Sequence, residues 1–169
     1  MNTNSENSWE TFEKEQTQQG YRIAHSNNKL FRMVGQPQID QERGCLTIFR
    51  MVKPGMPVKL QTLAAANAQP GDYFGYSSYI LDSGKYIAIG APHANQGKGA
   101  VYVFELLSKT LTFVEQAKLT PRADVVNFGW VVKLTEDGKL TVSSIRVDSV
   151  YDSVDHTYNL VSGRWIEEL

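Results

Sequence analysis

The chain repeats itself, and this limits its folds more than any other feature of the sequence. Displaced by 55 residues, Gly20-Tyr21 falls on Gly75-Tyr76, Gly35-Gln36-Pro37 on Gly90-Ala91-Pro92, and Gly44 on Gly99. "CLTIFRMV" (Cys45–Val52) then lies over "AVYVFELL" (Ala100–Leu107). Displaced a further 54, Phe74-Gly75 meets Phe128-Gly129 and the turn "DSGK" (82–85) meets "EDGK" (136–139). Self-similarity at a fixed period marks a stack of small units, each unable to bury its own faces. The third copy is the most worn. There "TVSSIR" (141–146) stands under "IAIGAP" (87–92), "TYNL" (157–160) under "VYVF" (101–104), and the loop between them reads as about two residues longer.

Within a copy, apolar and polar residues alternate, and β-branched and aromatic residues are enriched, which predicts strands. In the second copy they are expected at 75–81, 85–91, 100–106 and 111–118. "DSGK", "EDGK" and "SNNK" (26–29) supply the Gly, Asp and Asn that tight hairpins favour. No stretch beyond the first fifteen residues carries a helical apolar stripe, so the chain reads as all-β. Four antiparallel strands in a unit of this length make one blade of a β-propeller. On this reading Gly75 lets a strand pass close to a crowded central axis, and the Gly-x-Pro element ends a strand that has reached it.

"DYFGYSSYILDSGKYIAIGAP" (72–92) followed by "GAVYVFEL" (99–106) resembles the FG-GAP repeat, the blade unit of the integrin α-subunit head. The residues that carry the resemblance are Phe74, Gly75, Gly90, Pro92 and Gly99, with Gly20, Gly35 and Gly44 in the first copy and Phe128 and Gly129 in the third. The resemblance implies a propeller fold and a binding role rather than an enzyme. It divides the chain into a polar arm (1–18), whose "SWETFEK" (8–14) offers an extra outer strand, and blades at about 19–68, 69–122 and 123–169. Calcium-carrying members of that family place an Asp-rich loop between the first two strands of a blade. Here the place holds turns with at most two carboxylates, too few oxygens for calcium, and no metal or cofactor is expected. Propellers typically have about four to eight blades. Three are therefore expected to be completed by oligomerisation, as a head-to-tail homodimer, or by docking on another protein; the remaining option is a strained three-blade ring. An open arc is expected to expose apolar flanks on blades one and three.

A formal charge of −1 gives no field for nucleic acid or an anionic membrane. The single Cys45 provides neither a disulfide nor a zinc framework. No apolar run spans a bilayer and the amino terminus has no signal-peptide core. Cytoplasmic synthesis is expected, with a virion such as a phage tail or fibre as one route outward. His25, His93 and His156 fall at non-equivalent positions, the last two in loops, and no Ser-His-acid arrangement stands out. "NQGKG" (95–99) reads as a hairpin loop, and the acidic stretch 146–156 as a solvated one. The loops after each second strand share one face with the blade connectors, where a scaffold offers recognition residues. Asp40, Arg43, His93, Asn95, Lys98, Tyr151, Asp152 and Asp155 are the candidates for meeting a protein or glycan. The reading is a non-catalytic interaction module. Its alternatives are a propeller-type hydrolase, disfavoured because the first strands supply almost no carboxylates, and a cytoplasmic scaffold subunit.

Overall fold

A computed structural model describes residues 14, 15, 17, 20–53, 55–122, 124–148 and 152–168. Twelve strands run through it: β1 (Arg22–His25), β2 (Phe31–Gln36), β3 (Cys45–Lys53), β4 (Met56–Leu63), β5 (Ser77–Ile80), β6 (Tyr86–Ala91), β7 (Ala100–Leu107), β8 (Thr112–Leu119), β9 (Val125–Leu134), β10 (Lys139–Arg146), β11 (Ser153–Val161) and β12 (Arg164–Glu167). They form three antiparallel four-stranded sheets, each a meander in chain order, as expected of three blades. Among the described residues no helix is long and apolar enough to cross a membrane.

The apolar cores lie between blades. Phe31, Met33, Leu46 and Ile48 of the first blade pack with Phe74, Ile87, Ile89, Tyr102 and Phe104 of the second. Ala88, Val101 and Val103, on the second blade's other face, pack with Phe128, Leu140, Val142, Tyr158 and Trp165 of the third. The middle blade is thus covered on both sides, and all six residues of β6 are buried.

Glycine sets how close these sheets come. A Cβ on Gly35 would overlap the carbonyl oxygen of Gly75 in the next blade, and one on Gly90 would overlap that of Gly129. Gly75 itself has φ +88° and abuts the Cys45 carbonyl. The expectation that Gly75 serves a crowded axis is therefore corrected: it permits backbone-to-backbone contact with the preceding blade. Each junction is also stapled by polar side chains. At the β1–β2 turn, Asn28 donates its backbone N–H to Asp82 Oδ1 and its amide to the Asp82 carbonyl, both at 2.9 Å. Ser83 N–H donates to Glu136 Oε1 at 3.2 Å at the next junction. On the outer strands, Gln61 makes two bonds to the Phe113 backbone (3.0 and 2.7 Å). Its counterpart Gln116 accepts from the Trp165 indole (2.7 Å) and donates to the Gly163 carbonyl (2.6 Å).

The third blade departs from its expected register. Phe74 meets Tyr102 at 5.3 Å and Phe104 at 6.3 Å between ring centroids, and Phe128 meets His156 at 5.2 Å and Tyr158 at 6.3 Å. His156 therefore stands where Tyr102 does, and Tyr158 where Phe104 does. Val142 pairs with His156 as Ile89 pairs with Tyr102, which puts Ser143 in the place of Gly90 and Ser144 in that of Ala91. The loop is one residue longer, not two, and a bulge between Ser143 and Ile145 absorbs the offset against β9.

That register reverses the expected character of the third blade's outer flank. Where the second blade shows the pairs Tyr86–Glu105, Ala88–Val103 and Gly90–Val101, the third shows Lys139–Asn159, Thr141–Thr157 and Ser143–Asp155. Ser143 Oγ donates to Asp155 Oδ1 at 2.7 Å. The two central strands of this flank are thus polar, while Val131, Ile166 and Val161 on the same face are about half exposed. On the first blade, Val34 and Cys45, whose side chains alternate away from the core shared with blade two, are buried as well. The apolar exposure expected on the third blade's flank is confined to its outer positions, Val131, Val161 and Ile166.

Replacing Gly90 with Ala is expected to cost about 3 kcal/mol, because the Gly129 carbonyl cannot yield and the Ser77 hydroxyl bonded to it crowds the same space. That corresponds to a drop in Tm of roughly 6 to 12 °C for a chain of this size. Ser143→Gly, at the equivalent place on a flank that none of the three described blades covers, is expected to cost about 1 kcal/mol or less. Thermal melts of the two variants check the contrast, and equal losses would refute the packing account.

Candidate functional site

The loop face is built from left-handed turns clasped by the following blade. Asp40, Gln41 and Glu42 have φ of 50°, 56° and 64°, and their counterparts Asn95, Gln96 and Gly97 have 53°, 62° and 86°. In this conformation carbonyls point toward the next blade's leading turn. Tyr73 N–H donates to the Glu42 carbonyl (2.8 Å) and Phe74 N–H to that of Arg43 (3.1 Å). Asn127 N–H and Phe128 N–H do the same to Gly97 and Lys98, both at 3.0 Å. Adjacent loops are linked further: the Tyr73 hydroxyl donates to Glu42 Oε1 at 2.7 Å, and the Tyr73 ring lies 4.5 Å from that of His93. The hydrogen bond to the Glu42 carboxylate raises the Tyr73 phenol above its ordinary pKa, with smaller contributions from burial and the Glu42 charge.

Between the first connector and the β6–β7 loop lies a cavity of about 440 Å³, lined by Asn67, Gln69, Pro70, Asp72, His93, Asn95, Gln96 and Lys118. Asp72 is buried and its Oδ2 accepts the Gln69 N–H at 2.8 Å. Asn95 spends its amide on the Gly99 carbonyl (3.0 Å). Tyr102, beside Asp72 and Lys118, is fully buried, and the Lys118 side chain is the hydrogen-bonding group next to its hydroxyl. Burial raises its phenol pKa, Lys118 opposes the rise, and Asp72 and Glu115 add to it. The Lys118 ammonium stands 5.2 Å from the ring centroid.

A second polar cluster lies between blades two and three. Ser144 Oγ is 2.9 Å from His156 Nε2, His156 Nδ1 is 3.1 Å from Glu167 Oε1, and Arg122 Nε is 3.0 Å from Glu167 Oε2. The order of contacts is that of a Ser-His-acid triad. Ser144 is only 1% exposed, however, and its Oγ also lies 3.3 Å from the Val154 carbonyl. The expectation that His156 sits in a loop is corrected, since the residue lies within β11, and the arrangement that did not stand out in the sequence is formed by pairing β10, β11 and β12.

The first strands line a groove of about 380 Å³ on the blade axis. There Arg22 stands 4.4 Å from the Tyr76 ring centroid, and Tyr76 lies 4.7 Å from Trp130. The groove's described lining includes no carboxylate.

Of the expected site residues, His93 and Asn95 converge on the loop-face cavity. Asp40 and Arg43 form an exposed ion pair at 3.5 Å on the neighbouring loop. Lys98 and Asp152 are exposed and bond through their backbones, to Phe128 and Arg146. Asp155 is displaced to the third blade's flank by its bond to Ser143, and Tyr151 lies outside the described residues. Sequence reasoning missed Asp72, Tyr102 and Lys118. The signal available was a carboxylate beside Phe-Gly and a tyrosine facing inward on a central strand. Among the described residues no group of three or more His, Cys, Asp or Glu side chains is placed to hold a metal ion. The turn carboxylates of Asp82 and Glu136 are engaged in the inter-blade bonds.

Residues 58–104 match the family model of the FG-GAP repeat. The matched frame runs from the outer strand of blade one through the third strand of blade two. No curated protein matches the sequence. Among solved structures, one similar protein is from Bacteroides fragilis NCTC 9343 and is described as a candidate 6-phosphogluconolactonase. It aligns with 20% identity and a TM-score of 0.55 over 88% of this chain and 37% of its own. Another is the endo-arabinase of Bacteroides thetaiotaomicron VPI-5482, with 15% identity and a TM-score of 0.46 over 88% of this chain and 59% of its own. At these identities the likeness concerns the fold, and the chain spans little more than a third of the first protein.

Tyr158, whose hydroxyl is buried without a partner, has its phenol pushed up to about 12, mainly by burial and then by the charge of Glu167. An unfolded tyrosine ionises near pH 10, so this residue's contribution is complete below about pH 10 and is lost as pH rises toward 12. Tyr158→Phe is expected to leave stability at about pH 8 unchanged or higher, and to flatten the alkaline decline. Urea midpoints against pH check both halves.

Proposed function

We propose that this chain, whose residues 58–104 form an FG-GAP repeat, is a non-catalytic blade module that presents its loop face to a protein or glycan within a larger assembly, of its own copies or of other chains. The observation that carries the reading is the backbone clasp on that face. Each of the first two β-blade loops is held in a left-handed turn by two backbone bonds from the following blade. Pre-ordered loops lose little entropy on binding, which favours recognition. The axial groove, where a glycosidase would need a pair of carboxylates, offers Arg22, Tyr76 and Trp130 instead. A glycan array probed with the wild-type chain is expected to give binding that an Asp40→Ala/Arg43→Ala/Lys98→Ala variant weakens, and native mass spectrometry is expected to show multiples of 19.0 kDa. A blank array together with a monomer at every concentration would count against both parts.

One observation favours a second reading, a hydrolase: the contact order Ser144–His156–Glu167. Against it stands the 1% exposure of Ser144, which leaves a substrate no approach to Oγ. A fluorophosphonate probe is expected to leave the chain unlabelled. Labelling that disappears in Ser144→Ala would make the enzyme reading the better one.

A further inference from the structure

Independently of the loop-face reading, we propose that the leading segment, residues 1–13, seats Trp9 and Phe12 on the outward face of blade one and so occupies the surface where a preceding blade of another chain would dock.

The segment lies outside the described residues, and the face it would cover is described in full. A bare sheet face in this chain looks different from a covered one. On the third blade's outward face Lys139, Thr141, Ser143, Asp155, Thr157 and Asn159 hold the central positions, and none of them is buried. On blade one's outward face Val34 stands opposite Thr47 and Gln36 opposite Cys45. Val34 is 4% exposed and Cys45 8%, and neither belongs to the cores between blades. Neighbours within one sheet do not bury a central residue so far, so a layer of atoms lies over this face. No described strand supplies it, because blade two packs on the other side. The burial is present in a single chain, so a second copy is not its source.

The repeat indicates what the layer contains. In the later copies a leading Phe fills the equivalent place, Phe74 against Tyr102 and Phe104, and Phe128 against His156 and Tyr158. The first copy has Thr47 and Phe49 where the second has Tyr102 and Phe104, and its leading residue is Gln19. The motif ring is therefore missing, yet neither Phe49 nor Arg32, its cross-strand partner, is without a contact. Before Gly20 the chain carries two aromatic residues, Trp9 and Phe12. Phe12 precedes Gly20 by eight residues, which extended chain converts to a reach of about 28 Å. That exceeds the length of β2, about 20 Å for its six residues. Charge points the same way. The face offers Arg32 and Lys59, with no Asp or Glu among its described residues. Residues 1–13 hold Glu6, Glu10 and Glu13 and no Lys or Arg. Seated there, the segment does for blade one what a neighbouring sheet does for blades two and three, as in the capped ends of repeat arrays. A partner blade reaches Val34 and Cys45 only after the segment leaves.

Cys45, the single cysteine, reports on the cover. Burial raises its thiol pKa, with Lys59 opposing the rise, and both burial and the higher pKa slow alkylation. In native buffer the full chain is expected to react slowly with N-ethylmaleimide, and a Trp9→Ala/Phe12→Ala variant about ten-fold faster or more, with its far-UV circular dichroism unchanged. A second measurement keeps a ring at position 12: with Phe12 replaced by p-benzoylphenylalanine, photolysis is expected to join it to β2 or β3 within one 19.0 kDa chain. If the double variant loses its sheet signal, the cross-link alone decides. Wild-type labelling rates in a folded double variant, or a cross-link elsewhere in the chain, overturn the proposal. Thiol protection that falls on dilution, or a cross-link between two chains, assigns the face to a second copy and overturns it as well. Each of these results leaves the glycan-array test of the loop face unaffected.

Discussion

Where Gly35 faces Gly75, and again where Gly90 faces Gly129, two backbones pass so close that no side chain fits between them. Hydrophobic burial alone does not demand this, since sheets packed through side chains stand about 10 Å apart. The glycine contact pulls one end of each blade pair together. The wider end is filled with Ile48, Ile87, Phe104 and their neighbours, so that a wedge-shaped core results. Blades tapered in this way fan about an axis instead of stacking flat. The positions of the three first strands along one groove follow from that taper. So does the loop face, because the left-handed turns over 40–42 and 95–97 lie next to the glycine contacts and are clasped by the same leading turns.

The middle blade was legible almost to the residue, because its alternation is unbroken and its glycines stand at every place where backbone must approach backbone. The purpose of those glycines was not legible. A sequence shows that Gly75 lacks a side chain, not whether the axis or the carbonyl of Cys45 fills the space. The third blade slipped by one residue because a bulge beside Ser143 breaks the period that sequence alignment relies on. The glutamine staples also keep the 55-residue period, Gln61 to Gln116, yet polar residues on outer strands read as surface and attract no notice. In the candidate site, His93 and Asn95 were visible because they lie on a loop. Asp72, Tyr102 and Lys118 come from a connector and two strands, and only folding brings them together.

The Ser144–His156–Glu167 chain and the Tyr102 hydroxyl beside Lys118 are two outcomes of one packing problem. At both junctions the ring beside the leading Phe carries polar atoms into the core. Blade three meets the need with a serine on the adjacent strand and a carboxylate from β12, itself held by Arg122. Blade two has Ala91 on the adjacent strand and sets the Lys118 side chain beside the Tyr102 hydroxyl instead. The triad-like geometry satisfies a buried imidazole, as any buried polar group requires whether or not a reaction occurs there.

The flanks bear on assembly in the same physical terms. A following blade docks by placing its glycine carbonyl against a residue with no side chain, and it covers an apolar stripe as it does so. At the third blade that position carries Ser143, already bonded to Asp155, and the stripe reads Lys139, Thr141, Thr157 and Asn159. A head-to-tail ring of two copies would have to seat blade one on this surface through a junction unlike the two inside the chain, with the Ser143–Asp155 bond in place of the glycine socket. Desolvating those groups without new partners is unfavourable. On the same face the exposed Val131, Val161 and Ile166 work in the opposite direction, since covering them is favourable. The same asymmetry distinguishes the two junctions inside the chain, each with a glycine socket, from the third blade's flank, where Ser143 fills the equivalent place.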